Sequence, residues 1–193
     1  MDSLSRYATI LARRSDMKRK TLRVSLFFVA FLFVLVALAV PAGDKYAVKV
    51  PNGLAFSEFR GYETWQYVSA SVTDDRVKII AGNPAMIAAY KEGFPGNGKA
   101  VPDGAVLSKV QWSKKPSPEF PSKVTTPGDL KEVEFMVKDS KRFADSNGWG
   151  YAEFTYDTAS ETFKPFGNDA RCGAACHTTA AKKDYVFTAY PLR

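Results

Sequence analysis

Through the middle of the chain, apolar residues recur at every second position rather than every third or fourth. Leu130–Asp139 (LKEVEFMVKD) has the clearest alternation: Val133, Phe135 and Val137 share one side, and Glu132, Glu134 and Met136 share the other. Trp65–Val72 (WQYVSASV) and Arg76–Ile80 (RVKII), joined by TDD, predict a hairpin. Ala105–Trp112 (AVLSKVQW) and Trp149–Tyr156 (WGYAEFTY) predict two further strands. A short helix with legible ends interrupts them in NPAMIAAYKEG: Asn83 can cap it, Pro84 suits its first turn and Gly93 its stop. Phe94–Gly104 is dense in Gly and Pro, and KKPSPEFPSKVTTPGD carries four prolines, so both predict loops. From Asn168 the pattern turns helical. No repeat and no low-complexity block is present. The pattern predicts an α+β domain, mainly antiparallel β-sheet with short helices.

Charge changes the picture only at the N-terminus. The net charge is +7 over 193 residues. Seven basic residues (Arg6, Arg13, Arg14, Lys18, Arg19, Lys20, Arg23) and two acidic ones precede Asp44, which leaves +2 for the rest. A basic nucleic-acid surface on the body is therefore not expected. Val24–Ala42 is uncharged and mostly apolar, follows KRKTLR, and ends in the small-residue runs ALA and VPA. That is the order of a secretory signal, and the run also approaches the length of a membrane anchor. Residues 1–43 are thus expected to be a leader or a tether. Residues 44–193 are expected to be one exported, periplasmic domain, with the basic side left in the cytoplasm.

Both cysteines and the only histidine fall within seven residues, RCGAACH, residues 171–177. Cys-x-x-Cys-His is the attachment signature of c-type haem. Here three residues, Gly173, Ala174 and Ala175, separate Cys172 from Cys176, so the form is Cys-x-x-x-Cys-His. Residues four apart on a helix share a face, which lets both thiols meet one porphyrin edge. His177 follows directly, where an iron ligand belongs. A disulfide and a zinc site remain the alternatives. So short a loop gains little from a disulfide, and structural zinc wants four ligands.

The segment EFMVKDSKRFADSNGWGYAEFTY, then the cysteine–histidine run, then AKKDYVFTAYPLR, resembles the cytochrome P-460 family, which includes the cytochrome c′-beta proteins. The resemblance runs from about Phe59 to Arg193, and VKDSKRFA and DYVFT are its most specific parts. The extra residue between the cysteines departs from the family pattern. The resemblance implies a largely antiparallel β body, a homodimer, and haem c on Cys172 and Cys176 with His177 as iron ligand. It further implies a lysine joined covalently to the porphyrin, here Lys109 in DGAVLSKVQW. It places a carboxylate at Glu134 and, at the start of the second hairpin strand, an arginine at Arg76. The implied activity is oxidation of hydroxylamine to nitrous oxide, with electrons passed to a redox partner protein. The c′-beta relatives imply instead the binding of nitric oxide or another small gas behind an apolar wall, for which Phe94, Phe120 or Phe135 is available.

Read from the residues alone, Lys109 on a stripe with Ala105 and Leu107 also fits a solvated edge lysine, and Glu134 a wet outer face. Glu132 is its rival two residues away. Met86 and Met136 fit core packing, although a methionine on iron would make an electron carrier.

Overall fold

The computed structural model describes residues 43–120 and 123–191. The alternation becomes one six-stranded antiparallel sheet in which each strand pairs with its neighbour in sequence. Strands β1 (Gln66–Val72), β2 (Arg76–Gly82), β3 (Val106–Ser117), β4 (Val124–Lys138), β5 (Trp149–Asp157) and β6 (Thr162–Phe166) lie in the order β1-β2-β3-β4-β5-β6. Helix α1 (Pro84–Lys91) connects β2 to β3, and the four-residue α2 (Ala174–His177) continues into a 3₁₀ turn, Thr178–Lys183. The architecture is the predicted α+β. The leader expected over residues 1–43 lies, Gly43 apart, outside the described residues. Among the described residues no helix is long and apolar enough to cross a membrane.

The period of two on β4 separates two cores. Val133 and Phe135 face a cluster with Val50, Leu54, Phe56, Phe59, Tyr62, Val106, Ala152 and Phe154. The cover on this side is a run of 3₁₀ turns, Lys45–Ala47, Phe56–Phe59 and Tyr62–Thr64. Phe135 stacks on Phe59 with ring centroids 3.9 Å apart. Met136, one residue along β4, faces the other cluster with Leu107, Trp149, Tyr151, Met86, Tyr90 and Val186. That second face is covered by α1 and by the C-terminal segment.

Helix α1 has the predicted ends. The Asn83 side chain accepts a hydrogen bond from the Met86 N–H at 3.0 Å, Pro84 occupies the first turn, and Gly93 takes φ +99° just beyond. Asn83 also accepts the Val106 N–H and donates to the Gly104 carbonyl, which fixes the helix to the start of β3.

One predicted loop is not a loop. KKPSPEFPSKVTTPGD forms most of the outer ends of β3 and β4, which run on as a ribbon with Lys114 opposite Pro127 and Pro116 opposite Thr125. Beyond Ser113 on β3 and Glu132 on β4 neither outer neighbour continues the pairing. Each ribbon strand is therefore an edge, where a proline's missing N–H can face solvent without breaking a ladder. The register shifts between Gln111 and Lys114 are bridged by the Ser113 hydroxyl, which accepts the Asp129 N–H at 2.9 Å.

Candidate functional site

Three strands bring three charged residues into one row. Lys109 on β3 is the register partner of Glu134 on β4, and Glu134 is the partner of Glu153 on β5. The adjacent row is Leu107, Met136 and Tyr151. These rows border a cavity of about 430 Å³, closed on its other side by Cys172, Gly173, Cys176, His177, Val186, Phe187 and Thr188. The Tyr151 N–H hooks the C-terminal segment to β5 through the Ala170 carbonyl at 2.8 Å.

Within the row, one Glu134 oxygen pairs with the Lys109 ammonium and the other accepts from the Gln111 amide. Lys109 keeps 33 % and Glu134 25 % of their side-chain surface exposed. Glu153 has no such partner among the described residues. Burial, and then the charges of Glu134 and Glu132, push its carboxyl up to about 7, with Lys109 opposing. At neutral pH the row therefore holds an ion pair beside a carboxyl group poised to take or release a proton.

His177 is oriented from three sides. Its ring lies 4.9 Å from the Tyr151 ring and 4.8 Å from that of Phe187. Its Nδ1 lies 2.7 Å from the Tyr185 carbonyl oxygen. A carbonyl only accepts, so Nδ1 carries the hydrogen and Nε2 keeps a lone pair for a metal. Burial lowers the His177 pKa below its ordinary value, which favours the neutral ring that coordination needs.

The cysteines are free, exposed, and border the same cavity. Cys172 lies in the turn ahead of α2, and Cys176 on α2 itself. Although Cys172 is exposed, desolvation, followed by the charges of Glu153 and Glu134, pushes its thiol up, so it stays protonated at neutral pH. A protonated thiol beside carboxylates is a poor zinc ligand. Gly173 is required here: a Cβ would stand 2.6 Å from the Tyr151 ring. The extra residue between the cysteines is thus absorbed where only hydrogen fits against β5.

The donor set fits a haem: two free thiols and an imidazole with an available Nε2 around a cavity of the 300–1,000 Å³ class that holds cofactors. The cytochrome P460 family model matches residues 59–188. The chain belongs to the cytochrome P460 family. A cytochrome P460 is a haem protein. No curated protein sequence matches the chain.

Of the residues read from the sequence, Lys109, Glu134, Cys172, Cys176 and His177 meet at this cavity. Arg76 does not. It opens β2 opposite Ser113 and pairs with Asp75 beside it. Lys78, two residues on along the same face, is the β2 cation that borders the cavity. Glu132 is not among the lining residues, and Met136 is. Met86 is buried in the core. Of the phenylalanines considered for an apolar wall, Phe94 packs on Tyr90 and Phe120 is exposed, and neither lines the cavity; Phe135 borders it, although its ring stacks on Phe59 across the sheet. Phe187 supplies the ring instead, 49 % exposed at the cavity. The sequence reading missed Glu153. Its signal was a carboxylate that follows Trp149 and Tyr151 on one face of the strand.

Proposed function

We propose that this cytochrome P460 oxidises hydroxylamine to nitrous oxide in the periplasm, with haem c held on Cys172 and Cys176 and His177 as the iron ligand. The observation that carries the reading is the Lys109–Glu134–Glu153 row opposite His177 across one cavity. A gas carrier has no need of three charged groups there. The haem iron, when bound, supplies a redox centre that can take electrons from a small nitrogenous substrate.

The chain's own residues handle protons. Hydroxylamine oxidation releases protons with its electrons, and Glu134 is placed to accept one within hydrogen-bond reach. Glu153, with its carboxyl near neutrality, can take the next and return it to solvent. A lysine–porphyrin bond would need the Lys109 ammonium to lose a proton, for which the paired Glu134 oxygen is the base at hand. It would replace a porphyrin C–H by C–N with loss of a second proton and two electrons, which the redox partner would take. Lys78 is the cation at the cavity available to an anionic group. The basic, apolar leader carries the domain into the periplasm, where it is released by cleavage or stays tethered by an N-terminal anchor. A redox partner takes the electrons, and the protein works as a homodimer.

The test is a mass-mapped peptide digest of protein matured with haem-attachment machinery, together with hydroxylamine turnover. Two thioether bonds, a Lys109 adduct and nitrous oxide production are expected. Lys109→Leu is expected to restore an ordinary c-type spectrum. Colourless protein after full maturation overturns the reading. The second reading, a nitric oxide-binding cytochrome, is favoured by Ile80, Leu107, Met136 and Val186, which make part of the lining apolar. Tight gas binding with no turnover and no lysine adduct would establish it instead.

A further inference from the structure

The two segments VKDSKRFA and DYVFT are far apart in sequence, and the chemistry above leaves their charges unused. They meet inside the protein. Lys138, the last residue of β4, places its ammonium 2.9 Å from Asp184 Oδ1, with side-chain exposures of 8 % and 15 %. The ammonium also donates to the Asn147 carbonyl at 3.4 Å and lies over the Trp149 ring. The same Asp184 oxygen accepts the Trp149 indole N–H at 3.4 Å, while Oδ2 accepts the Val101 N–H at 2.8 Å. Three parts of the chain therefore converge on one carboxylate.

That carboxylate sits on an uncommon piece of backbone. Asp184 and Tyr185 both have positive φ, +44° and +64°, a region that residues with a Cβ avoid. Two in succession persist only where surrounding bonds over-determine them. The second of the pair supplies the carbonyl that fixes the His177 tautomer. A buried ion pair is seldom the more stabilising choice, because desolvation offsets the attraction. A pair buried here is better explained by the conformation it enforces.

We propose that Lys138 and Asp184 are positioning residues for the iron-binding histidine: their ion pair locks the Asp184–Tyr185 turn, and the locked turn holds the Tyr185 carbonyl on His177 Nδ1. The inference rests on His177 being the haem ligand. A carbonyl on Nδ1–H makes the imidazole a stronger donor and stabilises ferric over ferrous iron. Loosening the turn lowers that preference.

The variants are Asp184→Ala and the double variant Lys138→Met/Asp184→Asn. The second replaces the charges with neutral groups of similar size, and its Asn tolerates positive φ, so it keeps the fold where alanine does not. Three measurements are made on the full chain: haem content, reduction potential with the iron–histidine stretching band of the ferrous protein, and the His177 ring tautomer by nitrogen-15 NMR before haem is loaded. Unchanged haem content is expected in the double variant. The ferric preference is expected to fall about tenfold, which is about 59 mV upward for one electron. The iron–histidine band is expected at lower frequency, and the tautomer is expected to change from Nδ1–H alone to a mixture with Nε2–H. Parent potential, band and tautomer in the double variant would overturn the proposal. A parent protein that takes up no haem would overturn the haem reading, while the tautomer measurement still decides whether the ion pair holds the turn.

Discussion

On one side of the sheet, Phe56, Phe59, Phe135 and Phe154 fill the space beneath the N-terminal 3₁₀ turns with ring against ring. On the other, one residue along each strand, Lys109, Glu134 and Glu153 border a cavity. The strands are the same, and only the parity of the position differs. A filled face gains free energy from every methylene removed from water. A face left open at a cavity forgoes that gain and can hold charges that burial elsewhere would neutralise. Chemistry is thus confined to the cavity end of one face of β3, β4 and β5, while the rest of that face, with Met86, Trp149 and Val186, is core as the opposite face is.

The largest effect is expected on the filled side. Phe56→Ala removes a fully buried ring that touches Phe135, Phe154 and Phe163. It should lower the unfolding free energy by about 3–5 kcal/mol in denaturant titrations. A loss under about 1 kcal/mol would show that this face is not where the stability resides. Glu134→Gln on the open side should change stability by about 1 kcal/mol or less, because the pair it breaks is partly solvated. Its turnover of hydroxylamine should fall by about 10²–10⁴-fold. Comparable stability losses from the two variants would erase the division of labour.

Glu153→Gln probes the border between the two roles. Folding raises the Glu153 pKa from 4.5 to about 7. Between those values the folded state holds a proton that the unfolded state has released, so stability falls as pH rises through the window. The variant should therefore be more stable than the parent above pH 7 and equal to it below the lower value, measured on haem-free protein. A difference that persists in acid would contradict the assignment. The smallest effect is expected from Arg76→Ala. The residue pairs with an exposed neighbour outside the cavity, so stability should stay within about 0.5 kcal/mol and turnover should be unchanged.

Much of this was legible in the sequence where a local pattern carried it. Alternation in LKEVEFMVKD assigned both faces of β4, and Asn83, Pro84 and Gly93 marked the ends of α1. The spacing in RCGAACH brought the thiols and the imidazole together. What escaped depends on pairing between distant segments. Pro116 and Pro127 read as loop because nothing local says that their strands have no outer neighbours. The five residues of β6 offered too short a pattern to read. Arg76 and Lys78 share a face and a charge, and only the register against Gln111 and Ser113 tells which one reaches the cavity. Glu153 became visible only when β5 was laid beside Glu134.

The uninterrupted strand order has one more consequence, for the sequence of events during assembly. Each of the five pairings joins chain neighbours, so the sheet can grow by adding hairpins, without waiting for a distant partner. The thiols, the imidazole and the carbonyl that steadies it all come after the final strand. A nascent polypeptide can therefore finish its β-scaffold first and receive the cysteine–histidine flap last. The binding chamber does not exist until the final stretch of chain folds across it.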